Sequence, residues 1–113
     1  MNTSADCVFC KIIAGKIPSP RVYEDERFIC IRDIRPQAKV HLLVVPREHV
    51  VSLETAGSEL VGAMFESARK IAFQEKLLPS GFRSVINTGV AGGQTVWHLH
   101  LHLLGGETLG EHL

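Results

Sequence analysis

His98-Leu99-His100-Leu101-His102-Leu103-Leu104 is the stretch on which the reading of this chain turns. In an extended strand, successive side chains point to opposite faces. Three imidazoles therefore line one face while Leu99, Leu101 and Leu103 fill the other. Half of the chain's six histidines fall within these positions. The open face of a half-buried strand needs polar residues, and a single histidine there is usually structural. Three in strict alternation are a poor default, because threonine, lysine or glutamate fill that role more often. Imidazole is the commonest metal ligand, and three on one face could hold a catalytic Zn²⁺ with an open position. Imidazole is also a nucleophile and an acid/base that titrates near neutrality. The trio alone leaves both readings open.

Working upstream, Asn87-Thr88-Gly89-Val90-Ala91-Gly92-Gly93-Gln94-Thr95 leads into the histidine strand, which is expected to span Val96 to Leu104. Glycines let backbone N–H groups approach an anion closely, and Asn87 and Thr95 add neutral hydrogen-bonding groups. The Gly-Lys-Ser/Thr ending of a Walker A loop is missing, and glycine loops are usually turns. Beside three histidines, this one suggests a phosphate site. Phe82 to Asn87 reads as a strand. Leu60, Met64, Ala68, Ile71 and Ala72 recur at helical spacing and predict a helix from about Ser58 to Leu77, capped near Ser58 and ended before Pro79. Phe65 and Phe73 lie outside that apolar stripe, which fits either a second buried face or packing inside the monomer. Arg21 to Glu24, Arg27 to Asp33 and His41 to Val45 read as three strands of a meander. Val8 to Ala14, stopped by Gly15, reads as a short helix. Strands in sequential groups favour an α+β fold, with a five-stranded, mostly antiparallel sheet, one long helix and one short helix.

The 113 residues suit a single domain spanning 1–113. Twelve basic and twelve acidic residues cancel, so no charge excess points to nucleic acid or an anionic membrane. No apolar run approaches the ~20 residues that span a bilayer. Met1 to Asp6 lacks the basic and apolar regions of a signal peptide, which predicts a cytoplasmic protein. An odd number of cysteines, Cys7, Cys10 and Cys30, argues against a disulfide framework. Cys30, among apolar neighbours, reads as buried and inert. Cys7-Val8-Phe9-Cys10 is a CxxC pair with three readings: metal binding, a redox pair or coincidence. Asp33, closing an apolar strand, is either a turn former or an acceptor for ribose hydroxyls.

The heptapeptide at 98–104 fits, position for position, the His-φ-His-φ-His-φ-φ signature of the histidine-triad superfamily, φ being apolar. Phe9-Cys10-Lys11-Ile12-Ile13, Asp33-Ile34-Arg35-Pro36-Gln37-Ala38, His41-Leu42-Leu43-Val44-Val45-Pro46 and Gly92-Gly93-Gln94-Thr95-Val96-Trp97 agree in order, so the resemblance runs from about Cys7 to Gly106. The chain is most similar to the histidine triad nucleotide-binding branch. That resemblance implies a purine nucleoside phosphoramidase or nucleotidyl hydrolase acting on AMP-like substrates. His100 would be the nucleophile of a nucleotidyl-histidine intermediate, with His102 on the phosphate and His98 beside it. His41 would join the relay that orients His100. Asp33 and Ile34 would meet the ribose. Asn87, Gly93 and Thr95 would hold the phosphate or leaving group, and Val8, Phe9, Val22 and Leu43 would surround the base.

A neutral imidazole would attack, a protonated partner would serve the departing amine, and loop amides would stabilise the phosphoryl oxygens without Mg²⁺. The resemblance also implies a structural zinc on Cys7, Cys10, His49 and His98, a closed tetrahedral set, and a homodimer. A redox role for the CxxC lacks the βαβ context it needs. Two departures stand out. Thr95 replaces a common serine, which tightens the leaving-group pocket, and the tail from Glu107 to Leu113 is short. Trp97 reads as a packing residue. Two other functions share the pocket: a regulatory purine-nucleotide-binding protein with negligible turnover, and a dinucleoside polyphosphate hydrolase.

Overall fold

The structure, a computed structural model, describes residues 5–111. Residues 1–4 of the polar N-terminal stretch and residues 112–113 of the tail lie outside it. The elements run α1 (Val8–Ile13), β1 (Arg21–Glu24), β2 (Phe28–Arg32), β3 (Val40–Pro46), α2 (Ser58–Gln74), β4 (Arg83–Val85) and β5 (Leu101–Gly105). The five strands form one antiparallel sheet in the order β1-β2-β3-β5-β4, so the fold is α+β with a meander at its start. The chain returns through α2, and β5 then pairs with β3, leaving β4 at the edge.

Strand alternation decides which helix each residue meets. Phe28, Cys30, Leu42, Val44, Leu99, Leu101 and Leu103 face α2 and share a core with its Leu60, Met64, Ala68 and Ile71. Ile29, Ile31, Leu43 and Val45 face the other way, toward Phe9 and Ile12 of α1. The apolar stripe of α2 is therefore buried as its spacing predicts, whereas Phe65 and Phe73 stay exposed, Phe73 at 79%. Cys30 is fully buried, and burial pushes its thiol up to about 12, which makes it inert. Met64 is fully buried at the centre of the larger core. Met64→Ala is expected to cost about 2–5 kcal/mol, because the rigid sheet beneath cannot collapse into the void. Guanidinium titration would read this as a lower midpoint at unchanged slope; a loss under about 1 kcal/mol would contradict the packing.

Three boundaries differ from expectation. α2 starts at Ser58 as its spacing predicts, with Gly57 as N-cap and no side-chain hydrogen bond there, but it ends at Gln74, short of Leu77. β4 is only three residues long. β5 begins at Leu101, not Val96. Its ladder with β3 starts at the Val44–Leu101 pair, and continuing it would bring Leu99 opposite Pro46, which has no N–H to give. The Leu99 amide donates instead to the Val50 carbonyl at 2.7 Å. His98 and His100 thus precede the strand, yet Leu99 between them still enters the α2 core.

Candidate active site

The triad lies on the α1 side of the sheet, beneath a cavity of about 530 Å³. Phe9 of α1 packs edge-on to His98 and His100, with ring centroids 5.7 and 5.1 Å apart. The cavity wall contains Val8, Phe9, Asp33, Ile34, Leu43, Asn87, Gly93, Thr95, His100 and His102, so most of the residues singled out in the sequence converge there. A somewhat larger groove of about 620 Å³, between the end of α2 and the tail, is lined by Lys76, Arg83 and Glu107 and carries no imidazole or thiol.

Val22 is an exception. The β1–β2 register slips between Arg21 and Tyr23, a bulge that turns both Val22 and Tyr23 toward the α2 core. Val22 therefore lies on the wrong face to meet a base. Ile12, Ile17 and Ile31 line the cavity in its place. Ile31 was legible in principle, since it shares a strand face with Ile29 and, two residues on, Asp33. The bulge that removes Val22 was not.

Backbone contacts assign the proton positions of the rings. The Gln37 amide donates to His41 Nδ1 at 3.0 Å, so the His41 proton sits on Nε2. That Nε2–H lies 2.9 Å from His102 Nδ1 and 3.4 Å from an Asp33 carboxylate oxygen. His102 Nδ1 thus accepts, and its Nε2 carries the hydrogen. His100 Nδ1–H donates to the His98 carbonyl at 2.8 Å, which leaves the lone pair on Nε2. His41 therefore orients His102 and not His100, correcting the expected relay; His100 is oriented by the backbone of its own triad. Burial pushes His102 down to about 4, aided by the neighbouring His100 and His41. Burial also lowers His41, against the opposing pull of Asp33. His102 is consequently a neutral N–H donor.

This ring has a consequence for stability. Unfolded, His102 takes up its proton near the ordinary value of 6.5, but folded it does so only near 4. Between these values the unfolded chain binds the extra proton, so stability is fully present above pH 6.5 and falls as the pH drops toward 4. The ring is partly open to water, which limits the loss to about 1–2 kcal/mol, roughly 5 °C in Tm. His102→Asn should flatten the Tm-against-pH slope in this window; an unchanged slope would contradict the assignment.

The glycine loop departs from expectation in one respect. Gly89 and Gly93 have φ of +73° and +81°, and a Cβ on Gly92 would meet the Thr88 carbonyl at 2.3 Å, so the turn requires glycine. Yet the amides of Gly89, Gly93 and Gln94 are bonded within the loop, to the Gln94 side chain, Val90 and Gly89. These three do not face an anion. Gln94, which the sequence reading passed over, ties the loop down through its side-chain N–H groups to the carbonyls of Val51 and Val96. Asn87, Thr95 and His102 remain among the polar side chains of the cavity wall.

Cys7, Cys10, His49 and His98 form a second cluster, whose ligand atoms all lie within 4.8 Å of one another. Cys7 caps α1, and its sulfur accepts from the Cys10 amide, so the first turn of α1 brings the two sulfurs together. His98 Nε2–H donates to the Pro46 carbonyl at 2.8 Å, which turns the bare Nδ1 toward the thiols. The separations are 3.2 Å for Cys7 Sγ to His98 Nδ1, 3.3 Å for Cys10 Sγ to His49 Nδ1, and 3.2 Å between the two Nδ1 atoms. Zn–S and Zn–N bonds of about 2.3 and 2.0 Å in a tetrahedron give edges of roughly 3.3–3.8 Å, so the cluster is compatible with structural zinc. A backbone carbonyl fixing the free imidazole nitrogen is the usual support of such a ligand.

The fold, the three alternating imidazoles and the cavity over them define a class, and comparison with known proteins agrees. The family described as HIT domain matches residues 14–109. A protein named purine nucleoside phosphoramidase from Escherichia coli K12 is 42% identical over 108 residues, covering 93% of this chain and 91% of that protein. The crystal structure of a HIT family hydrolase from Legionella pneumophila superposes with a TM-score of 0.89 at 43% identity, covering 94% of this chain and 97% of the other. A zinc-bound histidine triad family protein from Mycobacterium smegmatis gives a TM-score of 0.86 at 40% identity, with 96% and 83% covered. The chain belongs to the HIT domain family of histidine-triad proteins. Among the described residues, no helix is long and apolar enough to cross a membrane.

Proposed function

We propose that this protein is a hydrolase that cleaves purine nucleoside 5′-phosphoramidates and related AMP derivatives through His100. The observation that carries this reading is the hydrogen bond from His100 Nδ1 to the His98 carbonyl, because it leaves a neutral Nε2 lone pair on a ring lining the cavity. Nε2 attacks phosphorus, forming an N–P bond, while the electron pair of the scissile P–N bond leaves with the amine, which takes a proton from solvent. Water then attacks the nucleotidyl-histidine, releasing the nucleotide and restoring the imidazole. His102 Nε2–H donates to a phosphoryl oxygen as charge builds there, and Thr95 and Asn87 add hydrogen bonds. This charge stabilisation requires no Mg²⁺.

The base rests among Val8, Phe9, Ile12, Ile17, Ile31 and Leu43. The ribose meets Ile34 at the lip and Asp33, one of whose oxygens already accepts from the Arg35 amide. Zinc on Cys7, Cys10, His49 and His98 supplies a structural clamp that ties α1 to the backbone carrying His100. The exposed Phe65 and Phe73 of α2 suit burial in a homodimer, and a cluster of thiol ligands suits the reducing cytoplasm. The E. coli phosphoramidase relative supports the substrate class.

Three substrates and one ligand test this reading: adenosine and guanosine 5′-phosphoramidate, diadenosine tetraphosphate, and AMP binding. Release of AMP from the phosphoramidate, faster than cleavage of the dinucleotide, is expected. Tight AMP binding without turnover of any of them would leave a regulatory nucleotide-binding protein instead.

A further inference from the structure

Short as the tail is, it is fastened to the loop that carries Asp33 and orients His41. β5 ends at Gly105, and Gly106 follows with φ of +80°. A Cβ on Gly106 would meet Val40 Cγ2 at 2.8 Å, so the backbone turns closely over the start of β3. That turn brings Glu107 to Lys39, 68 positions away in sequence, and the Lys39 amide donates to a Glu107 carboxylate oxygen at 2.7 Å. Arg83 of β4 donates to the Gly110 carbonyl and fixes the tail further on.

Lys39 is the last residue of the loop 33–39 between β2 and β3. The first end of the loop is closed by backbone, since the Asp33 amide donates to the His41 carbonyl at 3.0 Å. From Ile34 to Lys39 every residue except Ala38 is exposed, so packing does little to fix the rest, and hydrogen bonds must. Among the described residues, two side chains from outside the loop bond its backbone. His41 Nδ1 accepts from the Gln37 amide, and Glu107 accepts from the Lys39 amide two residues on. The Gln37 amide sets the tautomer of His41, and His41 in turn sets that of His102.

We infer that Glu107 is a positioning residue: its carboxylate pins the β2–β3 loop, so that the Gln37 amide keeps His41, and through it His102, in the tautomer that offers His102 Nε2–H to the phosphoryl group. The kinetic consequence rests on the phosphoramidase reading, whereas the tautomers are observable without turnover. Glu107 touches neither substrate nor reacting atoms and acts through Lys39. A carboxylate accepting a backbone N–H is a charge-assisted bond, and its exposure to water keeps the effect moderate.

The experiment records imidazole ¹⁵N spectra and adenosine 5′-phosphoramidate hydrolysis for the zinc-loaded native protein, Glu107→Ala, Glu107→Lys and Glu107→Gln. In the native protein, His41 and His102 should each show a single neutral tautomer with the proton on Nε2. In Glu107→Ala and Glu107→Lys, both signals should move toward the averaged values of an exchanging imidazole. With them kcat should fall about three- to tenfold, the loss of one hydrogen bond, because His102 donates as charge builds. KM should stay within about twofold, since Asp33 sits at the end of the loop that its own backbone closes. Glu107→Gln keeps an oxygen acceptor and should retain most of the native behaviour. Native-like tautomers in Glu107→Ala, whatever its kcat, or a loss in Glu107→Gln as large as in Glu107→Ala, overturn the inference and leave the phosphoramidase reading intact. A native protein that hydrolyses no phosphoramidate removes that reading, and the tautomer comparison still decides whether Glu107 sets the two rings.

Discussion

His100→Ala should lower kcat/KM for adenosine 5′-phosphoramidate by about 10⁴-fold, while the Kd for AMP changes by less than about fivefold. The size follows from the ring's role. Removing a nucleophile abolishes the covalent route and leaves only the residual help of binding and oriented donors. Binding should survive because the cavity is built mainly by other elements: α1, the face of β2 and β3 carrying Ile31 and Leu43, and the glycine loop. Single-turnover experiments with the native protein should trap a nucleotide on the chain, and the variant should trap none. Substantial turnover by His100→Ala would place the chemistry elsewhere. Unchanged rates together with a metal at position 100 would return the trio to the metal reading that the sequence alone left open.

Loss of the Cys/His cluster should lower stability strongly. The native protein is expected to hold about one zinc per chain by elemental analysis, and Cys10→Ser or exhaustive chelation should lower Tm by roughly 10 °C or more. The reason is structural. Cys7 and Cys10 sit on the first turn of α1, His49 lies beyond β3, and His98 borders the triad, so one ion joins segments distant in sequence. Without it, the thiolates and imidazoles lose the ion's binding energy, and α1, six residues long, has little of its own to hold it. Activity should fall with the metal, because the backbone at His98 also accepts the hydrogen bond that orients His100. A zinc-free native protein with undiminished Tm would contradict the assignment.

Much of this architecture was legible along the chain. The five strands, both helices and the α2 core stripe follow from period-two and helical spacing, because apolar residues must reach a core whatever their partners. The triad's face was equally legible, since alternation alone separates His98, His100 and His102 from the leucines. What the chain did not disclose involves registers and partners distant in sequence. The bulge in β1 moves Val22 to the far core, and Ile12, Ile17 and Ile31 line the cavity instead. Pro46 ends the β3–β5 ladder early and frees His98 for the Cys/His cluster, and the loop amides spend their hydrogen bonds on the loop itself.

The order of residues by itself determined the α+β class, the strand and helix content, and the family, for these rest on local periodicity and on a motif contained in seven consecutive positions. Only the tertiary structure decided which nitrogen of each imidazole bears its proton, which histidine supports which, and that Trp97 lies exposed instead of packing. Those facts depend on contacts such as Gln37 N–H to His41 and His41 to His102, the latter between residues 61 positions apart, and spacing along a chain carries no record of such distances.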